Sequence, residues 1–317
     1  VSLEFKCSRC GAPLTYTPES IFSVCEYCGY VHWFNEEAKV NIFAAPSKPR
    51  DVIINSFWSR MRMDRDMGRY VDMISIEDVY GVYVPLYISN VDVDVEWIGY
   101  RIERRRSGRT VTASRVMRRG RFNTDIRHVY HARRHAEEFG LIELCERVKG
   151  FNSYVALESL RWDDVKAQVL NAEYSIGEAL NVIRDDVEDR VRDDVRMRER
   201  LHGFYYYSCK ADVRDVKLVL APLWIITYRF RGGMFKAAFS GFDASILKVS
   251  EPVFLHQRLV YIAGSILASI AGSILIIVTA IGFLEASLWI PILFLAAALT
   301  GAGLAAKSIS DVREEKR

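Results

Sequence analysis

The sequence predicts an α+β protein in three parts, on three observations. Two Cys-x-x-Cys pairs open the chain, strict apolar–polar alternation runs through Val91–Trp97, and two long uncharged runs lie near the C-terminus. A length of 317 residues suits about two domains. Mean hydropathy is +0.02 although the chain carries 43 Lys and Arg and 40 Asp and Glu, so charged and apolar residues are segregated along it. A hydrophobic content of 50% excludes wholesale disorder. Most of the chain is too charged to cross lipid, which excludes a polytopic transporter. The net charge of +3 is too small to specify a partner.

The first element is built on cysteine. In Cys7-Ser8-Arg9-Cys10-Gly11 and Cys25-Glu26-Tyr27-Cys28-Gly29, fourteen residues lie between Cys10 and Cys25. Two such pairs in one short segment predict a four-thiolate site for one structural zinc ion, held by Cys7, Cys10, Cys25 and Cys28. The glycine after each pair relieves a tight turn. So short a segment buries little apolar area, and metal binding would supply its folding free energy. Four protein thiolates leave no open position for water, so catalysis is not expected there. Tyr16, Tyr27, Tyr30, Trp33 and Phe34 could form a contact face, cover the ribbon, or dock it onto the next domain. Cys145 and Cys209 are isolated and read as structural.

Pro46, Lys48 and Pro49 mark a linker. Asp51 then caps a helix with Ile53, Ile54, Phe57, Trp58 and Met61 on one face and Gly68 at its end. Strands begin at Ile74. Val91, Val93, Val95 and Trp97 alternate with Asp92, Asp94 and Glu96, the pattern of a half-buried strand. Ser107-Gly108 reads as a hairpin turn. Val84-Pro85-Leu86-Tyr87-Ile88 and Ala221-Pro222-Leu223-Trp224-Ile225 form a weak repeat that predicts two related β units. The second continues through Thr227–Phe230, a Gly232-Gly233 turn and Met234–Phe239.

Helical material lies between the units. Ile176, Leu180, Ile183, Val187, Val191 and Val195 make a narrow stripe among alternating charges, predicting a long, mostly solvated helix whose stripe suits packing on the β body, the commoner outcome, or coiled-coil pairing. Arg101–Arg134 holds twelve arginines against two acids, Glu103 and Asp125, a local net of +10. Its candidate contact residues are Arg104, Arg105, Arg106, Arg118 and Arg119. Three readings stand: nucleic-acid phosphate, anionic lipid headgroups, or a solvated hairpin balanced by the acidic helix near 185–199. His128, His131, His135 and Glu138 fall at the spacing of one helix face, but flanking arginines and the absence of an HExxH spacing favour a solvated face over a metal site. The sequence has no GxxxxGK(S/T), no GxSxG and no paired-carboxylate motif, so no enzyme is expected.

Leu259–Leu284 is uncharged for twenty-six residues and Leu288–Ala306 for nineteen, with only Glu285, Ala286 and Ser287 between them. About 20 apolar residues cross a bilayer core as a helix. The runs therefore predict a two-span hairpin in the cell membrane. Lys248 and Arg258 precede it, Lys307, Arg313, Lys316 and Arg317 follow it, and the loop has no cation. Both termini are then cytoplasmic. Gly264, Ala268 and Gly272, and Ala297, Gly301 and Ala305, form small-residue rows that pack the spans or support a homo-oligomer. Lys6 and Cys7 precede any apolar stretch, so no leader peptide is expected.

The opening Cys7-x-x-Cys10-Gly-Ala-Pro-Leu and Cys25-x-Tyr27-Cys28-Gly29 resemble prokaryotic membrane-anchored proteins with a transcription-factor-B-type zinc ribbon. Tyr83-Val84-Pro85-Leu86-Tyr87, Ala221-Pro222-Leu223-Trp224 and Tyr228-Arg229-Phe230-Arg231-Gly232 are similar to that family's later strands. Members are often labelled helicase-related; this chain lacks the phosphate loop such an activity needs. Ser8 and the Gly241-Phe242-Asp243-Ala244 turn depart from the family pattern. The resulting expectation is a zinc ribbon at 1–34, a linker and amphipathic helix at 35–73, an α+β cytosolic body with a helical insertion at 74–254, and a transmembrane hairpin with a short tail at 255–317. The expected role is that of a membrane-anchored adaptor or scaffold contacting membrane lipid and a protein partner. The alternative is a membrane tether that binds nucleic acid through the ribbon and the arginines.

Overall fold

A computed structural model describes residues 5–14, 20–34, 41–107, 110–134, 138–160, 168–252, 259–260, 262–270, 273 and 312–316, with backbone alone at 105–107, 110–111, 158 and 312–316. The fold is α+β, with a strand-rich body, helices and an N-terminal cysteine cluster. It divides into two compact units. The first comprises Val1–Ser56, Val79–Ile226 and Ala238–Leu247, and the second Phe57–Asp78, Thr227–Ala237 and Lys248–Arg317.

The first unit opens with two short antiparallel pairs, β1 (Phe5–Lys6) with β2 (Pro13–Leu14) and β3 (Phe22–Val24) with β4 (Val31–Trp33). Its body is dominated by β6 (Ile74–Ser107) and β7 (Thr110–His131), paired without interruption from Leu86↔His131 to Ser107↔Thr110. At ~3.4 Å per residue this ribbon is about 70 Å long. The described pairing closes at Ser107↔Thr110, Gly108 of the expected turn lies outside the described residues, and the two strands reach back to Ile74 and on to His131. β10 (Gly203–Phe230) lies on the other side of β6. It runs antiparallel to β6, since Tyr100 meets Tyr205 and Asn90 meets Asp215. β5 (Ile42–Ala44) pairs parallel with β10 at Leu218–Leu220 and antiparallel with β8 (Val155–Ala156), and β9 (Gln168–Val169) pairs parallel with β6.

Alternation along β6 separates two cores. Tyr83, Tyr87, Val91, Val93, Val95 and Trp97 belong to one cluster with Ile183, Val187, Val191 and Val195 of α3 (Ile176–Arg198). The stripe read from the sequence thus packs on the ribbon. Ser175 starts α3 with a capping box, its hydroxyl accepting from the Glu178 N–H while the Glu178 carboxylate accepts from the Ser175 N–H. Val82, Val84, Leu86 and Ile88 face the other way, toward Leu141, Leu144 and Val148 of α2 (Leu141–Val148). The Pro-Leu-aromatic-Ile repeats do not open their strands. They lie in the interiors of β6 and β10, which are neighbours.

In the second unit, the end of β10 is followed by β11 (Gly233–Ser240), β12 (Ile246–Pro252) and β13 (Val312–Lys316) as successive sheet neighbours. The turn before β11 carries Arg231 and Gly232 at positive φ, 49° and 83°. Residues 57–63 complete α1 (Arg50–Met63), burying Phe57 and Met61. The helix ends at Met63, short of the expected Gly68. Asp64 stops it: its carboxylate accepts the Asp66 and Met67 N–H groups and starts a 3-10 turn at Met67–Met73. Arg60 bridges Asp64 at 2.9 Å and Glu251 at 3.0 Å inside this unit. Residues 259–260, 262–270 and 273 are helical; the rest of both apolar runs lies outside the described residues. Among the described residues, no helix is long and apolar enough to cross a membrane.

Candidate metal centre

Each cysteine pair sits in a tight knuckle at the turn of its hairpin. In the first, the Gly11 N–H donates to the Cys7 carbonyl at 2.9 Å and the Cys7 N–H to the Ala12 carbonyl at 2.8 Å. The second repeats this, with Gly29 N–H to Cys25 carbonyl at 2.8 Å and Cys25 N–H to Tyr30 carbonyl at 2.9 Å. Gly11 and Gly29 take φ of 76° and 69°, a conformation costly for any residue with a Cβ.

The knuckles face each other. Cys7 Sγ lies 3.7 Å from Cys28 Sγ, Cys10 Sγ lies 3.6 Å from Cys25 Sγ, and all four sulfurs are within 4.8 Å of one another. A zinc ion at ~2.3 Å from four sulfurs has tetrahedral edges of about 3.8 Å, so this donor set fits one ion. His32, which the sequence reading missed, places Nε2 3.3 Å from Cys7 Sγ. Its position four residues after Cys28, at alternate register in the strand leaving that knuckle, was the available signal. Burial pushes the Cys7 thiol up, but hydrogen bonds from His32 and from the backbone of Cys10 and Arg9 outweigh it and bring it down to about 6. Burial pushes Cys25 up to about 12 and raises Cys28. A bound dication would reverse that penalty and hold all four sulfurs as thiolates.

The second knuckle is fixed to the body of its unit. Phe22 bridges Ala172, the Ile21 N–H donates to the Ala172 carbonyl at 2.9 Å, and Ile21, Phe22 and Val24 belong to the α3-side core. Trp33 packs on Phe22 at 5.3 Å and serves the docking. Tyr27 is 65% exposed and Tyr30 is exposed, which leaves them as contact residues; Tyr16 lies outside the described residues. A cavity of about 500 Å³ beside this junction is lined by Glu26, Lys48, Arg50, Tyr80, Gln168 and Trp224. The Trp224 indole N–H donates to Ser47 Oγ at 2.9 Å.

The five candidate arginines all fall on the distal ribbon, but not on one face. Register places Arg104, Arg106 and Arg119 at positions of one parity and Arg105 and Arg118 at the other. Arg118 and Arg119 are exposed. Elsewhere in the segment, arginines are engaged: Arg121 with Asp94, Arg101 with Glu103, Arg134 with Glu178, and Arg127 with the Phe151 carbonyl and Tyr154 hydroxyl.

The histidine row is not helical. β7 runs through His131, so His128 and His131 fall on a strand where spacings of three do not share a face. His128 is buried, with Nε2 3.2 Å from Asp186 Oδ2. His131 Nδ1 meets the Arg133 carbonyl, Glu138 pairs with Arg133, and His135 lies outside the described residues. Cys145 is buried and its thiol pushed up to about 12 by that burial, while burial also raises Cys209. Both are unreactive by these environments.

Comparison with family models, with curated proteins and with solved structures returned no match. What the structure does define is a cluster of four cysteines able to hold a metal ion, joined to an α+β body.

Proposed function

We propose that the chain is a membrane-anchored zinc-ribbon adaptor, of the kind its cysteine knuckles and strand motifs resemble, with its body in the cytoplasm and no catalytic role. The zinc ion is structural: it clamps two knuckles, one of which is bonded to the body, and it leaves no coordination position for substrate.

The observation that carries the anchor is the antiparallel pairing of β12 with β13, from Lys248↔Lys316 to Pro252↔Val312. It makes the chain leave the sheet and return to the neighbouring strand, ~4.8 Å away. Both uncharged runs lie in that excursion. An even number of crossings satisfies the pairing, and two helices of about 20 residues account for the runs. The described start of the first run supports this reading. It is helical and exposes Leu259, Val260, Ile266, Leu267 and Ile270, a surface suited to lipid. Ser269 and Ser273 donate their hydroxyls to the carbonyls of Ser265 and Ser269 at 2.9 Å, the arrangement that satisfies serine without water.

Cysteine placed singly at Ser287 and at Ser310 tests the reading against the parent chain. An impermeant thiol reagent applied to intact cells is expected to label the Ser287 variant alone. Labelling at Ser310 would reverse the orientation, and release of the chain from membranes by an alkaline wash would overturn the anchor.

A further inference from the structure

We infer that the distal outer face of the β6–β7–β10 ribbon is a binding surface for single-stranded nucleic acid. The outward positions of β6 change character in three steps. Val82–Ile88 of this parity are buried under α2. Asp92 and Asp94 are then neutralised across strands by Arg214 at 3.0 Å and Arg121 at 2.8 Å. Beyond them come Ile98, Tyr100, Ile102 and Arg104, paired with Arg119, Met117, Arg115 and Ala113. No acid occupies an outward position in this last stretch; Glu103 has the opposite parity and pairs with Arg101.

Aromatic rings interleave with these cations. Tyr205 lies 5.1 Å from Tyr100, and the Arg115 guanidinium sits over the Tyr100 ring at 5.2 Å. Phe204 and Tyr207 both lie under Arg192 of α3, three residues apart, so β10 departs from strict alternation between them. The result leaves both Tyr205 and Tyr206 exposed, at 56% and 46%, and Met117, the register partner of Tyr100, is exposed at 67%. Exposed tyrosines offer stacking faces to bases and the arginines meet phosphates. The stretch from Ile98 to Arg104 is about 20 Å long, room for roughly three or four nucleotides.

Charge and shape choose the occupant. A flat bilayer laid on this face would also press on the carboxylates of Asp92, Asp94 and Glu96, whereas a flexible strand can confine itself to the distal cations. A duplex could meet the arginines through its phosphates but would leave the tyrosines without bases to stack on. The inference does not depend on membrane anchoring.

The test is fluorescence anisotropy of a labelled oligo-dT with the full chain in neutral detergent, titrated across salt. Binding at low salt is expected, and Arg115→Gln with Arg119→Gln should flatten the log–log salt slope by about 1.4, at ~0.7 per single-strand phosphate contact. Tyr205→Ala with Tyr206→Ala should weaken binding about fivefold or more, and Tyr205→Phe with Tyr206→Phe should retain it. Arg118→Gln, at the other parity, should change the slope less than either outward arginine. Thermal melts matching the parent confirm that these surface variants fold. Absence of binding at low salt, tyrosine variants without effect, or Arg118→Gln equal to the outward pair would each overturn the proposal.

Discussion

The indole of Trp97 lies across Gly120 on the paired strand, so close that a Cβ on Gly120 would sit 2.8 Å from the ring. The two residues are register partners on the α3 side of the ribbon, and Trp97 belongs to the core there. Gly120→Ala is expected to push the indole off its seat and cost about 1–3 kcal/mol, the range for overpacking. Urea melts of the variant and parent give the difference directly.

Arg60 is a buried cation held between two carboxylates. With Glu251→Gln it loses its most buried partner, and a loss of about 3 kcal/mol is expected. Replacing both, as Arg60→Met with Glu251→Leu, should recover most of it. Burial raises Asp64, but the Met67 and Asp66 N–H groups and Arg60 outweigh that and hold its carboxyl below the usual range. That stabilisation is present at neutral pH and is lost as pH falls through the carboxylate range. Asp64→Asn should flatten the acid limb of the stability profile.

His128 adds a second pH dependence, at milder acidity. Burial lowers its pKa, Asp186 opposes the shift, and Lys149 and Arg190 reinforce it. The folded chain therefore holds it neutral where the unfolded chain is protonated. Stability should fall as pH drops below about 6.5, the ordinary histidine value, and level off once the folded-state pKa is passed. The measurement is unfolding free energy from pH 8 to 5 for the parent and His128→Gln. Equal slopes would contradict the assignment.

α3 provides a paired test of cap and stripe. Ser175→Ala removes the hydroxyl that accepts the Glu178 N–H and should cost about 1 kcal/mol. Ile183→Ala empties a fully buried site against the ribbon and should cost about 3 kcal/mol. The sites are eight residues apart on one helix, and their costs should add to within about 0.5 kcal/mol.

What the sequence made legible was local. The cysteine knuckles, the valine alternation into Trp97 and the α3 stripe are each written within one element. What it hid depended on partners far away. The length of the ribbon is sustained because α3 covers one side of Val91–Trp97 and cross-strand ion pairs occupy the other, and neither is visible in either strand alone. His128 and His131 read as helical because three-residue spacing carries no strand signal, and only pairing with β6 places them in β7. The early end of α1 follows from the Asp64 carboxylate turning onto its own backbone, a competition that helix periodicity does not report. The split of the arginines between two parities likewise emerges only once the β6–β7 register is known.

Metal content is the most direct test of the proposed zinc clamp at Cys7, Cys10, Cys25 and Cys28. Full-length protein purified without chelator, assayed by elemental analysis, is expected to carry one zinc per chain, and Cys25→Ser is expected to carry none and to lose the folded second knuckle. Since Phe22 and Trp33 dock that knuckle onto the core, the melting temperature of the variant should fall as well. Zinc-free parent protein with an unchanged melt in Cys25→Ser would contradict the account.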